Sequence, residues 1–141
     1  MLKNPNFGTP GKEFSGHTIL GIGIDAIEIE RFKNWHLYSI KTLSKIFTKS
    51  EIEYCLSVKN LSAQRFASRF AAKEAAYKAT SDLLTKTSFI QFCKFVEVQN
   101  CPSGRPGIVF KQSVLENIKI HLSITHTRST SMAFVLLQKI A

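Results

Sequence analysis

The chain is expected to adopt an α+β fold, an antiparallel sheet packed on a long central helix, and three observations lead there. The stretch from Ser62 to Thr80 contains no Gly and no Pro and is rich in Ala, so it reads as one uninterrupted helix. Apolar and β-branched residues mark strands at Thr18 to Asp25, Lys119 to Thr125 and Met132 to Leu137. The resulting order is strand, helices, strands, short helix, strands, and that order suggests helices gathered on one side of an antiparallel sheet. At 141 residues the chain is long enough for one domain with a real core. Residues 1–17 are expected to form a flexible leader and residues 18–141 the domain.

The elements follow in order. In the first strand Gly21 and Gly23 alternate with Leu20, Ile22 and Ile24, so one face is apolar and the other bare. Another backbone or a ligand can come close along a bare face. Asp25 is expected to end this strand, with a short helix or turn over Ala26 to Phe32. Thr48-Lys49-Ser50-Glu51 matches a capping box, which starts a helix carrying Ile52 and Leu56 inward. A loop near Lys59-Asn60 leads to the long helix. At about 100° per residue, Phe66, Phe70 and Tyr77 share a narrow arc that should face the core. Phe89 to Val98 is aromatic and β-branched and reads as a strand. Residues 100–107, Asn-Cys-Pro-Ser-Gly-Arg-Pro-Gly, form a turn by composition. A short strand at Ile108 to Phe110 and a helix of one or two turns over Ser113 to Asn117 come next. His126 to Ser131 is the hairpin loop between the last two strands.

Composition narrows the function. No apolar run approaches the roughly 18 residues of a membrane span, and the polar, Gly/Pro-marked start lacks a signal-peptide core. A cytoplasmic protein is expected. Three widely spaced cysteines, with no Cys-x-x-Cys, argue for reduced thiols over a disulfide framework or zinc site. Cys55, beside Tyr54 on a helix, is read as packed and not nucleophilic. The net charge of +9, with 19 Lys+Arg against 10 Asp+Glu, favours an anionic partner: nucleic acid, a phosphate-rich small molecule or an acidic protein.

The acids are few, so each is informative. Asp25 and Glu74 are far apart in sequence, yet their carboxylates converge if the first strand packs on the long helix. Two carboxylates, with water and phosphate oxygens in the remaining positions, suit magnesium. Lys78, one turn beyond Glu74, would reach a phosphate, and Arg69 and Lys73 would add positive charge nearby. The competing reading makes Glu74 and Lys78 a surface ion pair worth about 0.3–0.5 kcal/mol. A second constellation, His121-Leu122-Ser123-Ile124-Thr125-His126-Thr127-Arg128, places His126 and Thr127 where a strand gives way to its loop. Both can donate hydrogen bonds to a phosphate. His121 and His126 point to opposite faces of the strand, which makes them poor ligands for a single zinc.

Taken together, several segments resemble the holo-acyl-carrier-protein synthase family, the small bacterial 4'-phosphopantetheinyl transferases. They are Gly21-Ile22-Gly23-Ile24-Asp25 with Glu28-Ile29-Glu30-Arg31-Phe32; Phe47-Thr48 with Glu51 and Tyr54-Cys55; Arg69-Phe70-Ala71-Ala72-Lys73-Glu74-Ala75 with Lys78-Ala79; Gly104-Arg105-Pro106; and Leu122-Ser123-Ile124-Thr125-His126-Thr127. The resemblance implies transfer of phosphopantetheine from coenzyme A to a serine of an acyl carrier protein in fatty acid biosynthesis, releasing adenosine 3',5'-bisphosphate. It matches Asp25 and Glu74 to the Mg2+ ligands and Lys78 to the lysine at the pyrophosphate. It matches Arg69, Gly104, Arg105, Pro106, His126 and Thr127 to segments lining the coenzyme A site. Arg31 matches a basic position facing the acidic carrier protein. The resemblance also implies a homotrimer with active sites between subunits. The base that takes the serine proton is Glu74 or a water held by the metal.

The chain departs from the family after Lys78-Ala79. A Gly-Thr-Gly-like loop is usual there, whereas this chain reads Thr80-Ser81-Asp82-Leu83-Leu84. Two other classes compete. A basic nucleic-acid-binding module is disfavoured because Phe66 and Phe70 are needed inside and cannot form a basic-aromatic surface strip. A metal-dependent phosphohydrolase using the same two acids is separated from transfer only by assay.

Overall fold

The computed structural model describes residues 17–111 and 115–140. A three-stranded antiparallel sheet is built from β1 (His17–Glu28), β4 (Ile118–His126) and β5 (Thr130–Ile140), in the order β1-β5-β4. Strands β2 (Val96–Asn100) and β3 (Pro106–Phe110) form a separate antiparallel pair. Four helices accompany them: α1 (Ile40–Leu43), α2 (Lys49–Leu56), α3 (Ser62–Ala79) and α4 (Phe89–Phe95). The α+β reading and the central helix are borne out.

Helix α3 lies across the inner face of the main sheet because both surfaces are made small. Ala67, Ala71, Ala75 and Ala79 are buried on the helix, and Ala133, Val135 and Leu137 are buried on β5. Glycine takes this furthest: a Cβ on Gly21 would lie 1.9 Å from the Ala79 carbonyl oxygen, and one on Gly23 would lie 1.8 Å from that of Ala75. The bare strand face is therefore occupied by the backbone of α3. On the far side of α3, Phe66 contacts Phe47 and Trp35, while Phe70 and Tyr77 both meet Phe89.

The capping box at Thr48 and Glu51 is present, and it does more than start a helix. The Glu51 carboxylate is buried and accepts from the backbone N–H of Thr48 at 2.8 Å and of Val98 at 2.7 Å. It also pairs with the fully buried ammonium of Lys73 at 2.7 Å, which in turn donates to the Ile46 carbonyl. One ion pair thus joins α2, α3 and β2, with every partner hydrogen-bonded, as a buried charge requires.

The structure corrects several expectations. Phe89–Phe95 is a helix and only Val96–Asn100 is a strand, because Ser88 and Gln91 form a second capping box and Phe92 and Cys93 turn inward at helical spacing. Asp25 does not end β1, which continues to Glu28 because β5 supplies partners as far as Thr130. Only Ile29–Phe32 then forms a 3-10 turn. In the short α2, Cys55 and Ile52 are buried whereas Leu56, its last residue, is 36% exposed. Burial pushes the Cys55 thiol up to about 12, so it is packed and unreactive. The last hairpin is tighter than expected, with Thr127 N–H donating to the Thr130 carbonyl. The expected leader lies outside the described residues except for His17, which already pairs with Ile140 in the sheet. The helix expected over Ser113 to Asn117 falls partly outside them.

Candidate active site

The close approach of β1 to α3 decides what happens at the free edge of β1. Asp25 is half-buried there, and Lys78 reaches it from α3: Lys78 Nζ lies 3.0 Å from Asp25 Oδ1 and donates to the Ile24 carbonyl at 3.0 Å. Glu74, one turn earlier on α3, faces the same two charges. Its carboxyl is pushed above the ordinary carboxylate range, first by burial and then by the negative charge of Asp25, with Lys78 opposing. Asp25, Glu74 and Lys78 therefore form one cluster, as expected. Lys78 pairs with Asp25, and the competing surface pair between Glu74 and Lys78 is not formed. Among the described residues Glu74 accepts no side-chain hydrogen bond and no group of three or more His, Cys, Asp or Glu residues is gathered. Two carboxylates, one of them short of donors and held at a raised proton affinity, fit a hard divalent cation that takes its other ligands from water and phosphate.

Arg69 and Lys73 lie elsewhere. Five residues along a helix turn the side chain by about 140°, so Arg69 faces α2 and not the acids. Its guanidinium sits 3.8 Å from the Tyr54 ring centroid, and Arg65 covers the same ring at 4.1 Å. The Arg69 Nε atom is buried without a hydrogen-bond partner. Lys73 is consumed by Glu51, as above. The spacing of Arg65 and Arg69 was visible in the sequence, but their common aromatic partner Tyr54 was not.

The second constellation is at the opposite edge of the sheet. The order β1-β5-β4 makes β1 and β4 opposite edges. His126 ends β4 and Thr127 opens the hairpin, two strands across the sheet from Asp25. The Thr127 hydroxyl oxygen accepts from the N–H groups of Ser129 and Thr130, which leaves its own proton free to donate outward. A cavity of about 510 Å3 lies here, lined by Asn60, Gln64, His126, Thr127 and Arg128 among others. The turn Gly104-Arg105-Pro106 also belongs to this half. Gly104 adopts φ +80°, and the turn closes through hydrogen bonds between Cys101 and residues 104 and 105. Arg105 and Pro106 line a cavity of about 370 Å3 with Lys119, His121 and Phe134. Arg31 is exposed on the 3-10 turn after β1. The loop after α3 closes on Thr80, whose hydroxyl donates to the Ala76 and Tyr77 carbonyls and whose own carbonyl accepts from Leu83 and Leu84.

Two carboxylates beside a lysine are groups suited to phosphoryl transfer, and comparison with known proteins gives the family. Residues 21–135 match the family model described as the 4'-phosphopantetheinyl transferase superfamily. The chain is 40% identical over 126 residues to the holo-[acyl-carrier-protein] synthase of Treponema denticola, covering 85% of this chain and 98% of that one. It is 38% identical to the Clostridium tetani enzyme of the same name, at 85% and 96% coverage. The crystal structure of the Bacillus anthracis holo-(acyl-carrier-protein) synthase in complex with CoA (3',5'-ADP) superposes with a TM-score of 0.69 at 32% identity, over 86% of this chain and 97% of that chain. The Helicobacter pylori enzyme in complex with coenzyme A gives 0.67 at 26% identity, over 82% and 98%. The chain belongs to the 4'-phosphopantetheinyl transferase superfamily and, within it, to the holo-acyl-carrier-protein synthases.

Proposed function

We propose that this protein transfers the 4'-phosphopantetheine group of coenzyme A to a serine hydroxyl of an apo-acyl-carrier protein, releasing adenosine 3',5'-bisphosphate, as a cytoplasmic step of fatty acid biosynthesis. The observation that carries the reading is the convergence of Asp25, Glu74 and Lys78 at the β1 edge, within a chain of this family. Asp25 and Glu74 would hold Mg2+, which when bound neutralises diphosphate charge. The side chain of Lys78 is half exposed, at 51%, so its ammonium can turn from Asp25 to the leaving phosphate. Glu74, or a water held by the metal, would receive the proton lost by the serine.

Arg69, Gly104, Arg105, Pro106, His126 and Thr127 are proposed to line the coenzyme A site. His126 and the acids sit on opposite edges of the sheet; a site using both, assembled between the subunits of a homotrimer, is the proposed form. The outer face of the main sheet supports it: Ile22 is 55%, Ile24 54% and Phe134 40% exposed, and these residues adjoin one another across β1 and β5. The three cysteines are free thiols, two of them buried, as suits a reducing compartment. Among the described residues no helix is long and apolar enough to cross a membrane.

The test is direct. The protein is incubated with coenzyme A, Mg2+ and an apo-acyl-carrier protein, and the carrier is weighed. A gain of one phosphopantetheine group is expected. Release of adenosine 3',5'-bisphosphate with no gain in carrier mass would show hydrolysis and overturn the reading.

A further inference from the structure

We propose that Gln64 is a positioning residue that fixes the tautomer of His126, so that His126 Nδ1–H is the proton offered to the bound ligand. This rests on the placement of His126 in the coenzyme A site. The observation is a contact between Gln64 Nε2 and His126 Nε2 at 2.7 Å. An amide nitrogen only donates. With the amide in this orientation its nitrogen donates, so the ring Nε2 accepts and the ring proton is on Nδ1. Free imidazole side chains in water favour the other tautomer, so the protein imposes this one.

The amide is delivered to the ring by rigid parts. One turn beyond Gln64 on α3, Ser68 is buried and its hydroxyl lies 2.7 Å from that of buried Ser131. Ser131 is the register partner of His126 across β4 and β5. The pair Gln64 and Ser68 thus clamps the base of the hairpin onto α3 at two adjacent points. His126, Thr127 and Arg128 line the same cavity of about 510 Å3 as Gln64 and Asn60. Thr127 has its hydroxyl proton free, and the Nδ1–H adds a second neutral donor next to a guanidinium. That set suits a phosphate group, whose oxygens only accept.

His121 supplies an internal contrast on the same strand. Its Nε2 lies 2.9 Å from Gln138 Oε1, an oxygen that can only accept, so His121 carries its proton on Nε2. Two histidines five residues apart are thus assigned opposite tautomers by two glutamines presented in opposite senses.

Nuclear magnetic resonance of 15N-histidine-labelled protein at alkaline pH, where imidazole is neutral, reads the tautomers directly. In the unmodified chain His126 should show a protonated Nδ1 and a bare Nε2, and His121 the reverse. Gln64→Leu removes the donor and should move His126 toward Nε2–H. Gln64→Glu keeps the shape but offers only an acceptor, and should also place the proton on Nε2. His121 should be unchanged in both, reporting an intact fold. The KM for coenzyme A should rise about five- to tenfold in Gln64→Leu with kcat nearly constant, as expected for one lost hydrogen bond of ordinary net strength. A protonated Nε2 on His126 in the unmodified chain, or the same tautomer in all three proteins, would overturn the proposal. His126→Ala is the control for the underlying reading: if it leaves the KM for coenzyme A unchanged, the site placement is wrong, whereas the tautomer measurements still decide the role of Gln64.

Discussion

At the scale of single residues, two carboxylates have opposite consequences for pH. The Glu74 carboxyl is raised by burial and by Asp25, so in the metal-free protein the fold holds its proton more tightly than the unfolded chain does. The stability it contributes is complete below the ordinary carboxylate value of 4.5 and is lost as pH rises through the raised value. Glu97 is the reverse. Burial alone would raise it, but hydrogen bonds from Thr48 and Gln99 and the ammonium of Lys111 hold it at about 2. Its contribution is complete above 4.5 and is lost as pH falls toward 2. Thermal melts of Glu74→Gln without metal should lack the decline on the alkaline side of 4.5, and Glu97→Gln should flatten the decline on the acid side. The same Glu74→Gln variant, and Asp25→Asn, should lose the rise in melting temperature produced by Mg2+ and lower turnover by at least about a hundredfold. Calorimetric Mg2+ binding equal to that of the unmodified chain in either variant would remove these residues from the metal site. The approach of the two acids was readable from the sequence, because Glu74 lies on an Ala-lined helix flank and Asp25 on the Gly-marked strand that packs against it. The partner of Lys78 was not, because it depends on where the β1 edge falls against α3.

At the scale of elements, the same limit explains what was misread. Phe89 to Val98 has the composition of a strand, yet the Ser88–Gln91 capping box and the burial of Phe92 against Tyr77 turn its first part into a helix. Composition reports a mean preference, and a cap with a tertiary aromatic partner outweighs it. Lys73 was expected beside the acids because it precedes Glu74, but neighbours on a helix point about 100° apart. Its actual role is to anchor α2. Lys73→Met should leave the Glu51 charge buried and cost about 3–5 kcal/mol in denaturant unfolding. The double variant Lys73→Met with Glu51→Gln should recover much of that loss, since it removes both charges together and keeps an acceptor for a backbone N–H that Glu51 serves. A double variant as unstable as the sum of the single ones would mean that the pair is not energetically coupled. The bare strand face was legible and so was its use. Gly23→Ala would place a methyl against the Ala75 carbonyl. It should cost about 3 kcal/mol by overpacking and weaken Mg2+ binding by moving Asp25 from Glu74.

At the scale of the whole molecule, charge and symmetry decide what can be tested. Arg31, Lys33, Lys41, Lys45 and Lys49 are all exposed on the segment between β1 and α2. Exposed charges are screened over about 8–10 Å at physiological salt, so an acidic carrier protein steered by this band should show a KM that rises steeply with salt. Arg31→Ala should raise that KM and leave the one for coenzyme A nearly alone; a carrier KM flat in salt would place the docking surface elsewhere. The band was visible in the sequence as a run of basic residues. The separation of the two half-sites was not, because strand parity says which face a residue occupies and nothing about the order of strands in the sheet. That separation yields the sharpest test. Glu74→Gln removes the acid half of a site and keeps His126; His126→Ala does the opposite. Each variant alone should turn over poorly at limiting coenzyme A. If the acids of one subunit work with the histidine of its neighbour, mixed trimers regain intact sites. With equal, random mixing, half the acid halves are intact and half of their neighbouring histidines are, so activity should recover to about a quarter of the unmodified level. Phe134→Lys, placed on the exposed outer sheet face, should disperse the trimer in light scattering and abolish the recovery. Were each site contained in one chain, no mixture of the two variants could hold an intact one, and activity would stay at the sum of the separate residues of turnover however long the subunits exchange.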